Sequence, residues 1–309
     1  MTKAGFCAIL GRPSSGKSTL LNSVCGHKVS IVADIPQTTR NKVRGVYTTA
    51  TEDAARQVVF VDTPGFHNSE KKLNRYLRDL VTSTLDEIDS ILYLLDVSRP
   101  IGAEEEELAG LLAGLELPVI VALNKVDVSA AQPETCESFL DRALPDRRRF
   151  RISAARSEGL EPLLAAVVET MPESELYYPP DFYTDQDPEF RVAEVIREQA
   201  IARTREEVPH ALYVEVADME IRKSGGGTGK GRPGAKEEPT FWIRAFIVVE
   251  RESQKGIVVG RGGEQIREIR VAAQRELAEL FDYRIYLDLR VKVQQKWRRT
   301  DSVLSRLVH

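Results

Sequence analysis

Gly11-Arg12-Pro13-Ser14-Ser15-Gly16-Lys17-Ser18 stands between two unlike segments. Before it, Ala4-Gly5-Phe6-Cys7-Ala8-Ile9-Leu10 is an apolar run of strand type. After it, residues 17–25 place Leu20, Leu21 and Val24 on one helical face. A strand, a Gly-rich turn and a helix in that order are the context in which G-x-x-x-x-G-K-[ST] holds a phosphate chain. The glycines let backbone N–H groups close around phosphate oxygens, and the helix N-terminus adds partial positive charge. Lys17 reaches the terminal phosphates, the Ser18 hydroxyl is a ligand for Mg2+, and Thr19 completes the cradle.

Outward from this loop, Val58–Val61, Ile91–Leu95, Val119–Leu123 and Phe150–Ile152 read as further apolar strands. Helical patterns over 70–86, 103–115, 134–143 and 159–171 separate them. Short apolar strands alternating with helices predict an α/β fold, a parallel sheet covered on both faces. Ligands of such sheets gather at the carboxyl ends of the strands. Asp62-Thr63-Pro64-Gly65 falls at one such end. Asp62 there holds Mg2+ through water, and Gly65 leaves its N–H open to a γ-phosphate. Asn124-Lys125-Val126-Asp127 falls at another. The Asp127 carboxylate can accept two N–H bonds from guanine, whereas adenine lacks the 2-amino donor and a donor at N1. The stem of Lys125 lies along the base. Ser153-Ala154-Ala155 follows the last strand, placing the Ala154 N–H at guanine O6.

These elements in this order resemble the translation-factor-related GTPases. The resemblance implies GTP and GDP as ligands with Mg2+, and adds a switch threonine within Gln37-Thr38-Thr39-Arg40-Asn41. Thr39 is the favoured γ-phosphate-sensing Mg2+ ligand, with Thr38 the alternative, so Lys17, Thr39 and Gly65 form the expected catalytic set. Many such enzymes orient the attacking water with a Gln soon after Asp-x-x-Gly. Here Phe66 follows Gly65, as in the branch with an apolar residue there, and slow intrinsic hydrolysis is expected. Relatives of that branch often carry Asn in the phosphate loop as a ligand for a monovalent cation. This chain has Ser14, so K+ as a further cofactor depends on whether a serine hydroxyl suffices.

The chain has 309 residues, which suggests about two domains. Its 43 Lys+Arg and 47 Asp+Glu give a net charge of -4, and 42% hydrophobic residues suffice for ordinary cores. The longest apolar run, Leu117–Leu123, falls far short of the ~20 residues that span a bilayer. Met1-Thr2-Lys3-Ala4 shows no signal-type stretch, and Cys7, Cys25 and Cys136 have no metal-ligand spacing. A reducing cytoplasm is therefore expected. The net charge conceals a split: residues 221–309 carry 19 basic against 11 acidic side chains, and the remainder 24 against 36. A basic C-terminal third suits a polyanion partner.

After the connector Tyr177-Tyr178-Pro179-Pro180 the pattern changes. A charged helix is expected over 188–207, strands over 210–222 and 240–252, then a helix, Gly260-Arg261-Gly262-Gly263, a helix to about Leu280 and a strand over 284–293. The run 223–236 between the first two strands is Gly-rich and basic, with the composition of a flexible hairpin tip. Ile257 to Ile269, with this Gly-x-x-Gly, resembles a KH domain of type II order. In such domains the loop presses on the backbone of about four nucleotides. Gly260, Arg261, Gly262 and Gly263 are its expected phosphate contacts, and Ile257, Val258, Ile266 and Ile269 its apolar groove. The tail Lys292–Arg299 adds four cations and the aromatic Trp297.

A GTPase domain joined to a type II KH domain resembles the Era family over nearly the whole chain. The expected organisation is a P-loop GTPase domain at 1–175, a linker at 176–187 and an α+β KH domain with a basic tail at 188–309. The resemblance implies a monomeric GTPase that binds 16S rRNA near its 3′ end and acts on the small (30S) ribosomal subunit. It also implies peripheral association with the inner membrane. The alternative is a membrane-associated signalling GTPase whose basic third meets anionic lipid.

Overall fold

The computed structural model describes residues 2–32, 41–51, 54–63, 87–222 and 239–299. Thr38, Thr39, Pro64 and Gly65, the helix expected over 70–86 and the run 223–236 lie outside the described residues. The chain divides into two compact units, one running to Asp185 and the other Gln186–Val303.

The first unit holds a six-stranded sheet of order β2-β3-β1-β4-β5-β6. Its strands are β1 (Lys3–Leu10), β2 (Val43–Thr51), β3 (Ala54–Asp62), β4 (Ser90–Asp96), β5 (Val119–Asn124) and β6 (Arg149–Ile152). All neighbours pair in parallel except β2 with β3. Every residue of β4 and β5 is buried, as both faces of a helix-covered parallel sheet require. Among the described residues its helices are α1 (Lys17–Cys25), α2 (Ala103–Ala113), α3 (Pro133–Ala143) and α4 (Leu160–Glu169). Leu108, Leu112, Cys136 and Leu140 from α2 and α3 pack on Tyr93, Leu95, Val121 and Leu123 in one core. Strand β2 was not foreseen. Val43-Arg44-Gly45-Val46-Tyr47-Thr48-Thr49 is too polar to read as an apolar strand, and it forms because it borders the sheet through β3 alone.

The segment expected as a linker packs on the first unit. Gln57 of β3 is fully buried. Its Oε1 accepts from the Tyr177 and Tyr178 N–H groups at 2.9 and 3.0 Å, and its Nε2 donates to the Tyr178 carbonyl at 2.9 Å. Further along, the Val46 N–H donates to the Tyr183 carbonyl, and Arg44 pairs with Asp185 at 3.0 Å. These bonds explain why the first unit continues to Asp185.

The second unit contains α5 (Pro188–Ala202), α6 (Val208–Ala211), β7 (Tyr213–Arg222), β8 (Thr240–Val249), α7 (Glu252–Val259), α8 (Glu264–Phe281) and β9 (Arg284–Val293). The Asp187 carboxylate caps α5 by accepting from the Glu189 N–H at 2.7 Å, with Pro188 in the first turn. Helix α8 buries Ile269, Ala273 and Leu277, one stripe at four-residue spacing. Strand β8 pairs antiparallel with β7 and in parallel with β9. Trp297, expected to extend the basic tail, is instead 1% exposed. Its Nε1–H donates to the Ala211 carbonyl at 2.9 Å, and its ring meets Tyr213 edge-on. A large amphipathic ring with one polar atom is better buried with that atom satisfied than left in water. Among the described residues no helix is long and apolar enough to cross a membrane.

Candidate nucleotide and RNA sites

The carboxyl ends of β1, β3, β4, β5 and β6 share one edge of the sheet, and the expected nucleotide residues of the first unit follow four of them. The loop after β1 reverses at Ser14 (φ 63°) and Gly16 (φ 101°), the left-handed region. At Gly16 a methyl group would also lie 2.3 Å from Asn124 Nδ2, and at Gly11 one would lie 2.4 Å from the Leu94 carbonyl. The glycines thus serve close packing, besides the phosphate approach expected of them. Lys17 is buried and donates to the Gly11 and Arg12 carbonyls, both at 3.0 Å. Burial lowers its pKa to about 8, partly opposed by the charges of Asp62 and Glu104. The Arg12 side chain points away from this cradle to Glu105 of α2, at 2.8 Å. Of the expected phosphate contacts here, Arg12 keeps only its backbone toward the cradle, and Pro13 has no N–H to offer a phosphate. Ser15 is fully buried, and its Oγ has no hydrogen-bond partner among the described residues.

Ser18 Oγ donates to Asp62 Oδ2 at 2.7 Å, and Ser30 Oγ donates to the same oxygen at 3.0 Å. Asp62 is fully buried, and its Oδ1 lacks a hydrogen-bond partner among the described residues. Burial raises its pKa against the pull of Lys17, Ser18 and Ser30. Thr63 turns inward, its Oγ1 donating to the Ile9 carbonyl at 3.0 Å. Its side chain locks β3 to β1.

Asn124 joins three loops. Its Nδ2 donates to the Ser15 carbonyl, and its Oδ1 accepts from the Ala154 N–H, both at 2.9 Å. The Ala154 N–H, expected at guanine O6, donates here to Asn124, a partner that only the tertiary structure reveals. Lys125 adopts positive φ (70°) and donates to the Ser14 carbonyl and to Asp96 Oδ2, each at 2.8 Å. Asp96 was missed in the sequence. Its one available signal is a carboxylate ending the fully buried strand β4. Burial disfavours its charge, but the bonds from Lys125 and Ser98 outweigh burial and hold its carboxyl below the ordinary range. A hydrogen bond with Ser153, helped by Arg156 at 3.6 Å, holds the Asp127 carboxyl low as well. Asp127 is therefore an anion at neutral pH, the form that accepts N–H donors from a base edge.

In the second unit α7 and α8 meet at Gly260–Gly263. Gly260, Gly262 and Gly263 have φ of 74°, 62° and 81°. A methyl at Gly260 would lie 2.5 Å from Gln265 Cβ, whereas nothing lies within 4 Å of one at Gly262 or Gly263. The first glycine closes the helix pair. The other two leave backbone open where a phosphate chain can approach, with exposed Arg261 beside them. A cavity of about 310 Å³ lies nearby, lined by Ile266, Arg267 and Arg270 of α8 and by Tyr286–Leu289 of β9. Ile257 is 49% exposed, but Val258 and Ile269 are 0% exposed. The expected base contacts of Val258 and Ile269 are therefore corrected. One residue along a helix turns the side chain by about 100°, from solvent into the core.

Residues 6–125 match the family model described as a 50S ribosome-binding GTPase, and residues 234–298 match that of the KH domain. The chain is 45% identical over 307 residues to the GTPase Era of Treponema denticola, covering 98% of this chain and 99% of that one. To the GTPase Era of Treponema pallidum it is 46% identical over 328 residues, covering 99% and 98%. Among solved structures it resembles a point variant of Aquifex aeolicus Era bound to GDP·AlF4− (TM-score 0.87, 32% identity, 98% of each chain). It also resembles Era in complex with MgGDPNP and nucleotides 1506–1542 of 16S ribosomal RNA (TM-score 0.86, 30% identity, 99% and 98%).

Proposed function

Because the chain belongs to the Era family of GTPases, we propose that it binds 16S rRNA near its 3′ end and works as a GTP-driven switch in biogenesis of the small ribosomal subunit. It hydrolyses GTP to GDP and phosphate. Residues 1–175 form its GTP-binding domain, 176–187 a connecting segment that packs on that domain as far as Asp185, and 188–309 its KH domain. The observation that carries the reading is the convergence of Lys17, the Ser18–Asp62 pair and the Asn124–Asp127 turn at one sheet edge, in a chain with a separate Gly-x-x-Gly unit. The relative solved with 16S rRNA nucleotides supports the RNA partner.

Hydrolysis of a phosphoanhydride by water needs charge neutralisation and an in-line water rather than a protein nucleophile. The loop N–H groups between Gly11 and Thr19, of which Pro13 supplies none, and the Lys17 ammonium bind the β- and γ-phosphates. Phosphate oxygens replace the backbone carbonyls that accept from Lys17 Nζ and favour its charged form. Asp127 selects guanine through its N–H edge. Asn124 and Lys125 hold the base-binding turn against the phosphate loop, with Ser153, Ala154 and Ala155 closing the base pocket. Thr39 and the Gly65 N–H position the γ-phosphate and its water.

The donor set beside Lys17 fits Mg2+. Ser18 Oγ and Asp62 are all-oxygen donors suited to a hard cation, and Asp62 Oδ1 is buried without a partner among the described residues. Ser18, Asp62 and Thr39 would hold the ion, which when bound neutralises charge on the phosphate oxygens.

With Phe66 after Gly65, unstimulated turnover is expected below about 1 s−1, read as phosphate release. Running the assay in K+ and in Na+ decides the role of Ser14: a several-fold preference for K+ means that its hydroxyl replaces the family's asparagine. Crosslinking the GTP-bound protein to cellular RNA tests the partner. A peak at the 3′ end of small-subunit rRNA is expected, and reads spread evenly over messenger RNA would overturn the proposal.

A further inference from the structure

The sheet of the second unit turns Ile243, Ala245 and Ile247 of β8 into the core, all fully buried. Alternate residues lie on its other face. The register pairs Trp242 with Tyr286 and Arg244 with Asp288 across β8 and β9, and Arg222 with Thr240 across β7 and β8. Arg222, Trp242, Arg244, Tyr286, Asp288 and Arg290 therefore share the outer face.

These side chains form an ordered cluster. The Arg222 guanidinium lies 4.1 Å from the centre of the Trp242 ring and that of Arg244 lies 4.8 Å from it. The Trp242 and Tyr286 rings are nearly parallel, at 9°, with centroids 6.4 Å apart. Trp242 is thereby covered to 9% exposure, while Tyr286 remains 51% exposed. Asp288 accepts from Arg244 and from Arg290, each at 3.0 Å, and Glu220 pairs with Arg222. Three guanidiniums thus meet the carboxylates of Asp288 and Glu220, with Asp218 opposite Arg244 in the register on the same face, so the cluster's claim on phosphate rests on its N–H donors rather than on excess charge. Each guanidinium has five N–H donors, more than a shared carboxylate can accept, so donors remain for phosphate oxygens. The guanidiniums cover Trp242, and the exposed Tyr286 ring stands beside it, so an aromatic face open to an unpaired base adjoins cations that can contact its backbone.

The cluster also adjoins the groove described above. Tyr286 and Asp288 line the cavity beside Ile266, Arg267 and Arg270, and they also belong to the outer face. A strand leaving the groove across β9, the last strand of this sheet, arrives at Tyr286. Beyond Arg222 the sequence from Lys223 to Lys236 carries four basic side chains and no acidic one, which favours a polyanion as the partner of this part of the chain.

We propose that the outer face of the KH sheet is a second single-stranded RNA surface, continuous with the Gly-x-x-Gly groove, where a base stacks on Tyr286 while Arg222, Arg244 and Arg290 contact flanking phosphates. The proposal rests on the RNA-binding reading given above and extends the RNA track around the β9 edge.

The test uses the full chain with a non-hydrolysable GTP analogue and RNAs of about 6 and 12 nucleotides ending at the 16S rRNA 3′ terminus. The shorter RNA fills the groove alone, given the roughly four nucleotides a KH loop clamps. The double variant Arg222→Gln/Arg244→Gln is expected to bind the shorter RNA as the wild type does and the longer one roughly tenfold more weakly. Its salt dependence for the longer RNA should flatten by about one to two phosphate contacts. Tyr286→Ala should weaken the longer RNA more than the shorter. An unchanged melting temperature and GTPase rate show that each variant is folded. Wild-type affinity and salt slope of the double variant for the longer RNA would overturn the proposal and leave the face to a protein partner. Failure of the wild type to bind either RNA would overturn the RNA-binding reading itself, and this proposal with it.

Discussion

Asn124 is a small side chain with a large structural reach. One amide fastens the phosphate loop through the Ser15 carbonyl and the base-binding loop through the Ala154 N–H, although these partners lie 109 and 30 residues away. Asn124→Ala leaves both buried partners unsatisfied at roughly 1–3 kcal/mol each. It is expected to lower the melting temperature by several degrees as well as nucleotide affinity, both read by thermal unfolding with and without GDP. On the proposed reading, Asp127 bears on specificity rather than on the fold. Asp127→Asn replaces a charged acceptor with a mixed donor and acceptor. GTP affinity should fall roughly 10- to 100-fold, and xanthosine triphosphate, which has a carbonyl in place of the 2-amino group, should gain relative to GTP in competition binding. Asp96 gives a pH signature. Its folded-state pKa is depressed by Lys125 and Ser98 despite burial, so its contribution is present above the ordinary carboxylate pKa and is lost as pH falls through the lower folded value. Asp96→Asn should therefore lower stability at neutral pH and flatten the acid limb below about pH 4, measured by urea unfolding at a series of pH values.

At the scale of elements, the turn between α7 and α8 separates packing from function within four residues. Gly260 and Gly262 both have positive φ, but only Gly260 lies against a neighbour that a methyl would strike. Gly260→Ala should therefore destabilise the second unit by roughly 1–3 kcal/mol. Gly262→Asp should cost little stability, since Asp tolerates this region better than most residues. It should nevertheless abolish binding of short single-stranded RNA by placing a carboxylate where phosphates approach. Melting curves beside RNA titrations of the two variants separate these outcomes. Element identity was largely legible in the sequence. The helices expected over 103–115 and 134–143 and the strand over 284–293 correspond to α2, α3 and β9, because each carries its own periodicity. Strand β2 carries none that is strong, and its existence depends on the β3 edge it pairs with.

At the scale of the molecule, the stretch from Tyr177 to Asp185 reads as a Pro-rich spacer, yet it is fastened to the first unit. Gln57 makes that possible by satisfying three backbone groups of the stretch from inside the sheet. Gln57→Leu keeps the volume but leaves those groups without a partner, for an expected loss of roughly 2–4 kcal/mol. Limited proteolysis should then cut between Tyr177 and Asp185 faster than in the wild type, while the second unit stays intact.

The sequence by itself determined the ligand class and the two-part organisation. A phosphate loop, a guanine-selecting carboxylate and a Gly-x-x-Gly turn depend on residue types at fixed local spacing, and covalent connectivity sets that spacing. Only the tertiary structure decided which atoms meet: Asn124 with Ala154, Lys125 with Asp96, Trp242 with Arg222 and Arg244, and Gln57 with Tyr178. It also decided that Val258 and Trp297 are buried, although short sequence patterns gave them to RNA. The physical reason is common to these cases. Hydrogen-bond partners and burial are settled by strand register and by packing between distant segments, and local spacing carries no record of either.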